Sequence, residues 1–270
     1  MSGFSADWLA LREPHDAAAR NRKVMHVVAE AMAGRFSITA VDLACGTGST
    51  PRALAPHLPF RQAWRLVDND LGLLARAAET SLPQGASIHT VPVDLARDLE
   101  AALDGAPDLV TSSALLDLVS AEWLERFVVE SAVRALPVYA ALIYDGRVTL
   151  TPSDPYDAAV IDAVNQHQRT DKGFGPALGP AVASDAIGRF ERTGIYRVTK
   201  GASDWVLEPG DAAMQRALLE GWAQAAEEMG ALPRIELHAW LARRSAFISE
   251  GQSSMQVGHV DIFAQPISRR

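Results

Sequence analysis

The stretch that most constrains the fold is Ala40-Val41-Asp42-Leu43-Ala44-Cys45-Gly46-Thr47-Gly48-Ser49-Thr50-Pro51. Ile38 to Leu43 is a short apolar run with β-branched residues, which suits a strand buried on both faces. Gly46 and Gly48, flanked by Ala44, Cys45 and Thr47, let the backbone turn sharply and let a ligand approach without Cβ atoms in the way. A helix should follow at once, capped by Ser49 or Thr50, with Pro51 in its first turn where a missing N–H costs nothing. Strand, glycine turn, helix is how a nucleotide-binding sheet begins. Pro51 stands where a dinucleotide fingerprint has its third glycine, and no lysine follows as a phosphate-binding loop requires.

The next strands repeat the theme of an acid at the C-terminal end. Ala63 to Asp68 reads as a second strand, and Asp68 lies 20 residues beyond Gly48. A doubly wound sheet places there the carboxylate that accepts hydrogen bonds from both ribose hydroxyls. Asn69-Asp70-Leu71 reads as the start of a helix to Thr80, with Asp70 as its cap. Ser87 to Leu95 is a third strand containing Asp94, and Asp94 could equally cap a helix beginning near Leu95. Asp108 to Leu118 is a fourth strand with its following loop, which brings Ser112, Ser113 and Asp117 to the crevice of the sheet. Ala121 to Leu136 is an amphipathic helix, and Val138 to Gly146 a fifth strand with Tyr144 and Asp145 at its mouth.

Before the first strand, Asp7 to Met32 has helical periodicity that Pro14 should break in two. Arg12, Asp16, Arg20 and Arg22 crowd its polar side. They form either a solvated charged face or part of a segment closing over a ligand, with Arg20 or Arg22 on a ligand carboxylate. After the fifth strand comes a helix from Thr151 to about Gln168, then a loop over 169–180 rich in Gly and Pro. A loop of that length in a compact domain is functional or disordered. Phe174 and Leu178 among its charged residues suggest a lid, to which His167 and Lys172 could add polar groups. Ala183 to Thr193 reads as a helix, Ile195 to Leu207 as a strand or hairpin arm, Asp211 to Met229 and Glu236 to Ser249 as helices, and Gln256 to Ala264 as the last strand. In that strand His259 and Asp261 share a face, as a hydrogen-bonded pair or as a base with its orienting acid.

Composition narrows the function. A net charge of -8 and no dense basic run give nucleic acid no electrostatic footprint. No segment reaches the length of a membrane span, and Met1 to Ala10 lacks the pattern of a secretory signal, so a cytoplasmic protein is expected. The single cysteine, Cys45, excludes an internal disulfide and a cysteine zinc cluster. No His-x-x-x-His pattern offers a metal site and no Gly-x-Ser-x-Gly elbow a nucleophile. Only Lys23, Lys172 and Lys200 are lysines in a chain rich in Ala and Arg, as in a GC-rich bacterial genome.

The pattern Asp42-x-Ala44-x-Gly46-x-Gly48 resembles the first motif of the class I S-adenosylmethionine-dependent methyltransferases, with Ala44 in the place of that family's usual first glycine. The resemblance continues through Asp68 and Asp94 to about Gly146. It implies an α/β fold: a doubly wound, mostly parallel seven-stranded sheet of order 3-2-1-4-5-7-6, helices on both faces, an N-terminal helical cap (1–34), a cofactor-binding half (38–147), a helical insertion or lid after strand 5 (151–193) and C-terminal strands and helices (195–264). The implied cofactor is S-adenosyl-L-methionine, bound by Asp42, Ala44, Cys45, Gly46, Gly48, Asp68, Asn69, Asp94, Leu95, Ser112, Ser113 and Arg20. Asp94 would accept from the adenine amino group. Ser113 and Asp117 hold the places of an Asn and a His frequent in small-molecule methyltransferases. Asp117, Tyr144, His167 and His259 are the candidate catalytic side chains, and no metal is expected. The implied partner is a small-molecule methyl acceptor, with no nucleic acid or membrane and a monomer or homodimer. The alternatives are a macromolecule methyltransferase, a nicotinamide oxidoreductase and a non-catalytic nucleotide-binding module.

Overall fold

In the computed structural model, which describes residues 4–267, the first strand β1 (Ser37–Leu43) lies between β2 (Arg61–Asp68) and β4 (Leu109–Ser113), parallel to both. Ile38, Ala40, Val41 and Leu43 are all buried, so β1 is apolar on two faces because helices cover both. β3 (Ala86–Pro92) continues the parallel sheet on one side and β5 (Val138–Thr151) on the other. β8 (Ser254–Pro266) then runs antiparallel to β5 and carries two further strands on its outer edge, β6 (Tyr196–Ala202) and β7 (Trp205–Leu207). The order is β3-β2-β1-β4-β5-β8-β6, with β7 also on β8.

The expected order is therefore present with eight strands in place of seven. The expected sixth strand is interrupted at Ser203-Asp204, where Asp204 turns its carboxylate onto the His259 N–H, the Gln256 amide and Arg147. These contacts bend the edge and separate β6 from β7. β5 and β8 also run on beyond the sheet proper, with bulges between Ala140 and Ile143 and between Tyr144 and Val148.

Helices fill three cores. α2 (Arg22–Met32), α3 (Ser49–Leu54) and α4 (Leu71–Ala78) cover one face of the sheet through Val24, Val28, Met32, Leu54 and Leu74. α5 (Leu99–Leu103), α6 (Ala121–Val133) and α8 (Val182–Arg192) cover the other, around Phe127 and Phe190. α7 (Asp157–His167), α9 (Ala212–Glu228) and α10 (Arg234–Ser249) form a third cluster with Trp205, Trp222 and Trp240 against the extended β5–β8 ribbon. Arg244, fully buried in α10, ties that cluster to the start of α7 through Asp157, which also accepts from Trp240.

The N-terminal helix α1 (Ala6–Ala19) does not break at Pro14. Pro14 removes one backbone donor, but neighbouring side chains hold the helix on both sides of it. Glu13 accepts two hydrogen bonds from Arg52 of α3 (2.5 and 2.7 Å), and Arg12 is paired with Asp16 at 2.9 Å. The chain bends instead at Arg20, whose ψ is 132°, and Asn21 caps α2 by accepting from the Val24 N–H. Among the described residues no helix is long and apolar enough to cross a membrane, and no three metal-ligating side chains cluster.

Candidate functional site

The C-terminal ends of β1, β2 and β4 open into a cavity of about 1030 Å³. That is the upper end of the range, roughly 300–1,000 Å³, of small-molecule sites. Its floor is the glycine turn. Ala44 has φ 51°, Gly46 55° and Gly48 82°, three left-handed residues in five, and Gly48 takes the N-cap position of α3. Neither Ser49 nor Thr50 caps the helix as expected; the left-handed backbone at Gly48 makes the transition itself. A Cβ on Gly48 would lie 2.9 Å from the Thr80 hydroxyl and 3.5 Å from Arg52 Nη1. Gly48→Ala is therefore expected to cost about 2 kcal/mol from the left-handed backbone alone. A thermal melt should show it as a fall of about 4–8 °C.

Asp68 closes one side. Its two oxygens accept from the Gly46 N–H (2.9 Å) and the Asp70 N–H (3.0 Å), which fixes the carboxylate at the cavity rim with a lone pair free on each oxygen. Asn69 lines the cavity beside it, and Asp70 caps α4 by accepting from Gly72 and Leu73. Asp94 and Leu95 line the far side. Asp94 does not cap a helix, since α5 starts only at Leu99; it accepts from the Ala96 N–H in a turn. Cys45 also lines the cavity, and burial beside Asp42 and Asp68 pushes its thiol far above the usual range, which makes it a packing residue.

Three expected site residues lie beneath this floor and not on it. Ser112 is buried, whereas Ser113 reaches the cavity. Asp42 accepts from the Thr111 hydroxyl at 2.7 Å, leaves Oδ2 with no hydrogen bond, and is raised by burial to about 7. Arg20 runs under the turn, reaching Tyr139, Thr50 and Ser113 at 3.3–3.4 Å with Nε unpartnered. Thr50 and Ser113 do line the cavity, so Arg20 meets it through them. Arg22, at the first position of α2, is exposed.

None of the four catalytic candidates lines the cavity. His259 is buried behind a wall made by Arg12, Asp16 and Trp205. Trp205 Nε1 donates to Asp16, the Arg12 guanidinium lies 4.9 Å over the Trp205 ring, and the His259 ring packs 4.6 Å from Trp205. Val257 O can only accept, so His259 Nδ1 carries its proton. Burial and Arg12 push His259 down to about 4, which keeps it neutral. His259 does not pair with Asp261: the Asp261 oxygens are taken by the Asn21 N–H, the Tyr139 hydroxyl and the Leu142 N–H. Tyr144 donates to Asn165 Oδ1 at 2.8 Å. His167 stands between Glu228 and Lys172. An ammonium only donates, so Nδ1 accepts from Lys172 and Nε2 donates to Glu228.

Asp117 is buried between two leucines, with Oδ1 unpartnered. Burial raises its carboxyl to about 6. A carboxyl raised on folding stabilises the native state while protonated and loses that contribution as pH rises from about 4 to about 6. By neutral pH the loss is about 3 kcal/mol. Asp117→Asn should remove it, so the change in unfolding free energy from near pH 4 to near pH 7, read by denaturant unfolding, should be more favourable in the variant than in the parent by about 2–3 kcal/mol. Asp42 titrates in the same direction and is common to both.

The residues that sequence reading undervalued are on α1 and just before it. Phe4, Leu9, Arg12 and Asp16 form one wall of the cavity, and Leu9 Cδ1 would lie 3.1 Å from a Cβ on Gly46. The signal was the spacing of Arg12 and Asp16, one helical turn apart. The loop 169–180 forms another wall. Leu178 N donates to Val119 O, Asp171 holds the Gly173 and Gly175 N–H groups, and the Phe174 ring meets Trp123 edge-on at 5.4 Å.

No protein-family model and no curated protein sequence matches the chain. Solved structures do resemble it. One is a cyclopropane-fatty-acyl-phospholipid synthase-like protein of Lactobacillus casei, 15% identical over 97% of this chain and 94% of that one, with TM-score 0.50. The YcgJ protein of Bacillus subtilis is 14% identical over 93% and 100%, with TM-score 0.52. The cyclopropane synthase MmaA2 of Mycobacterium tuberculosis is 11% identical over 97% and 95%, with TM-score 0.50. Together with the strand order, its reversed β8 and the glycine turn at the end of β1, these likenesses give the chain the Rossmann-like fold of the class I S-adenosylmethionine-dependent methyltransferases.

Proposed function

We propose that the protein is an S-adenosylmethionine-dependent methyltransferase acting on a small-molecule acceptor. The observation that carries this reading is the arrangement of Asp68 and Asp94 around the left-handed turn Ala44 to Gly48. Each carboxylate is fixed by a backbone N–H and keeps acceptor capacity toward the cavity. Asp68 suits the ribose diol and Asp94 an exocyclic amine. Beneath the turn, Arg20 Nε and Asp42 Oδ2 are buried polar atoms without partners. A zwitterionic amino-acid end bound above them is the kind of group they suit, with Ser113 and Thr50 carrying the influence of Arg20 to the surface of the floor.

When bound, the cofactor supplies an activated methyl group on a sulfonium. The chain's share is alignment and exclusion of water, for which the α1 wall and the 169–180 loop are placed. In this reading the described residues 4–34 are the cap, 38–147 the cofactor half, and within 151–193 only the loop 169–180 acts as the lid, because α8 packs in the core against the sheet. Asp117 is the nearest candidate for receiving an acceptor proton, because its neighbours Leu115 and Leu118 line the cavity. Tyr144 and His259 support the wall from behind. A cavity walled by α1 and a loop suits a small acceptor better than a polymer, as does the net charge of -8.

Calorimetric titration with S-adenosylmethionine, S-adenosylhomocysteine and NAD in parallel tests the reading. Micromolar binding of the two methionine-derived ligands and none of NAD is the expected result. NAD binding alone would turn the site into that of an oxidoreductase, and no binding by any of the three would withdraw the enzyme reading.

A further inference from the structure

The charges on the cavity wall do not balance in the same way everywhere. Arg12 spends Nε and Nη2 on Asp16, at 2.9 and 3.2 Å, and the pair is neutral as a unit. Arg97 lies 3.4 Å from Asp94 and is largely in solvent. Asp68, Asp70, Asp94 and Asp171 are each anchored by backbone N–H groups. Lys172 is different. Its Nζ has one hydrogen bond, 3.2 Å to His167 Nδ1, and among the described residues no carboxylate lies within ion-pair distance. Glu228, the acid whose field reaches it, is held on the far side of the His167 ring by Nε2. The Lys172 ammonium is half-exposed, lines the cavity and has only a neutral acceptor, so an incoming anion gains it as a partner without breaking an ion pair.

The apolar surface beside it is equally specific. Phe174, two residues along the same loop, is fixed edge-on to Trp123, and Leu115 and Leu118 line the cavity from the loop after β4. The loop is itself pinned by Leu178 N to Val119 O and by the Asp171 turn, so Lys172 and Phe174 are presented by an ordered backbone. With about 1030 Å³, the cavity has room for a nucleoside and a second molecule.

We propose that this second ligand, the methyl acceptor, is a small anion with an apolar body: its carboxylate or phosphate oxygens bind Lys172 Nζ, and its apolar part lies against Phe174 and Leu118. The proposal rests on the methyltransferase reading of the cavity, and its test separates the two. Octanoate, octyl phosphate and octanol are titrated into the full chain with and without saturating S-adenosylhomocysteine, for the parent and for Lys172→Gln.

At least one of the two anions should bind about ten-fold more tightly than octanol, and Lys172→Gln should bring that anion down to the level of octanol. The preference between octanoate and octyl phosphate identifies the headgroup. The variant should bind S-adenosylhomocysteine within about two-fold of the parent. Equal binding of anion and alcohol, no binding of either anion, or anion binding untouched by the substitution would overturn the proposal. A variant that loses S-adenosylhomocysteine as well would also overturn it, by assigning the ammonium to the nucleoside. Failure of S-adenosylhomocysteine to bind the parent, with lysine-dependent anion binding intact, would remove the methyltransferase reading and uphold the anion site.

Discussion

Asp68→Ala is expected to weaken S-adenosylhomocysteine about 100-fold while leaving the fold in place. Hydrogen bonds to a charged acceptor are worth about 1.5–3 kcal/mol each, and 100-fold corresponds to about 2.8 kcal/mol, the loss of one to two such bonds. The fold survives because Asp68 sits at the cavity rim, where water can take over the Gly46 and Asp70 N–H groups that the carboxylate now holds. Calorimetry gives the affinity, and a melting temperature within about 4 °C of the parent shows that the turn is intact. Unchanged affinity would remove Asp68 from the site.

The second large effect falls on stability. Asp261 is fully buried and accepts from three donors on two elements: the Asn21 N–H at the start of α2, and the Tyr139 hydroxyl and the Leu142 N–H of β5, the latter at its bulge. Leu142 has φ 54°, a conformation a branched side chain adopts only when its surroundings impose it. Asp261→Ala leaves the Tyr139 and Leu142 donors unsatisfied in the core and the Asn21 N–H at its partly buried edge, at about 1–3 kcal/mol each with partial relaxation. A loss of about 4 kcal/mol, or a melting point lower by about 10 °C, is the expected outcome in thermal and denaturant unfolding. The same variant should weaken S-adenosylhomocysteine less than Asp68→Ala does. Asp261 reaches the cavity only through Tyr139, Arg20 and the side chains Arg20 touches. A melting point within 2 °C of the parent would show that water or a shift of Asn21 replaces these bonds.

Where local chemistry alone sets the outcome, the chain was readable as a string. The apolar run before Asp42, the glycines after it and the acid at Asp68 follow from rules that act within a few residues. So does the Asp70 cap, which binds N–H groups two and three positions away. Element order, the parallel half of the sheet and the place of its crevice follow from these in turn. The strand order with a reversed penultimate member came from the family resemblance, and the structure has it with one strand divided.

What the tertiary structure decided concerns side chains whose partners are distant in sequence. Periodicity puts Arg12 and Asp16 on one polar stripe, but only β7 and the cavity make that stripe a buried wall. Pro14 stays helical because Glu13 is gripped by Arg52, which lies 39 residues from it. Alternation in β8 puts His259 and Asp261 on one face, yet Asn21, Tyr139 and Leu142 claim the acid while Trp205 and Val257 claim the histidine. The single-sequence pattern states which groups are polar and which way they face. Which of them are desolvated, and by whom, depends on contacts made only once α1, the β5–β8 ribbon and the 169–180 loop pack together, and that desolvation sets the chemistry of the cavity.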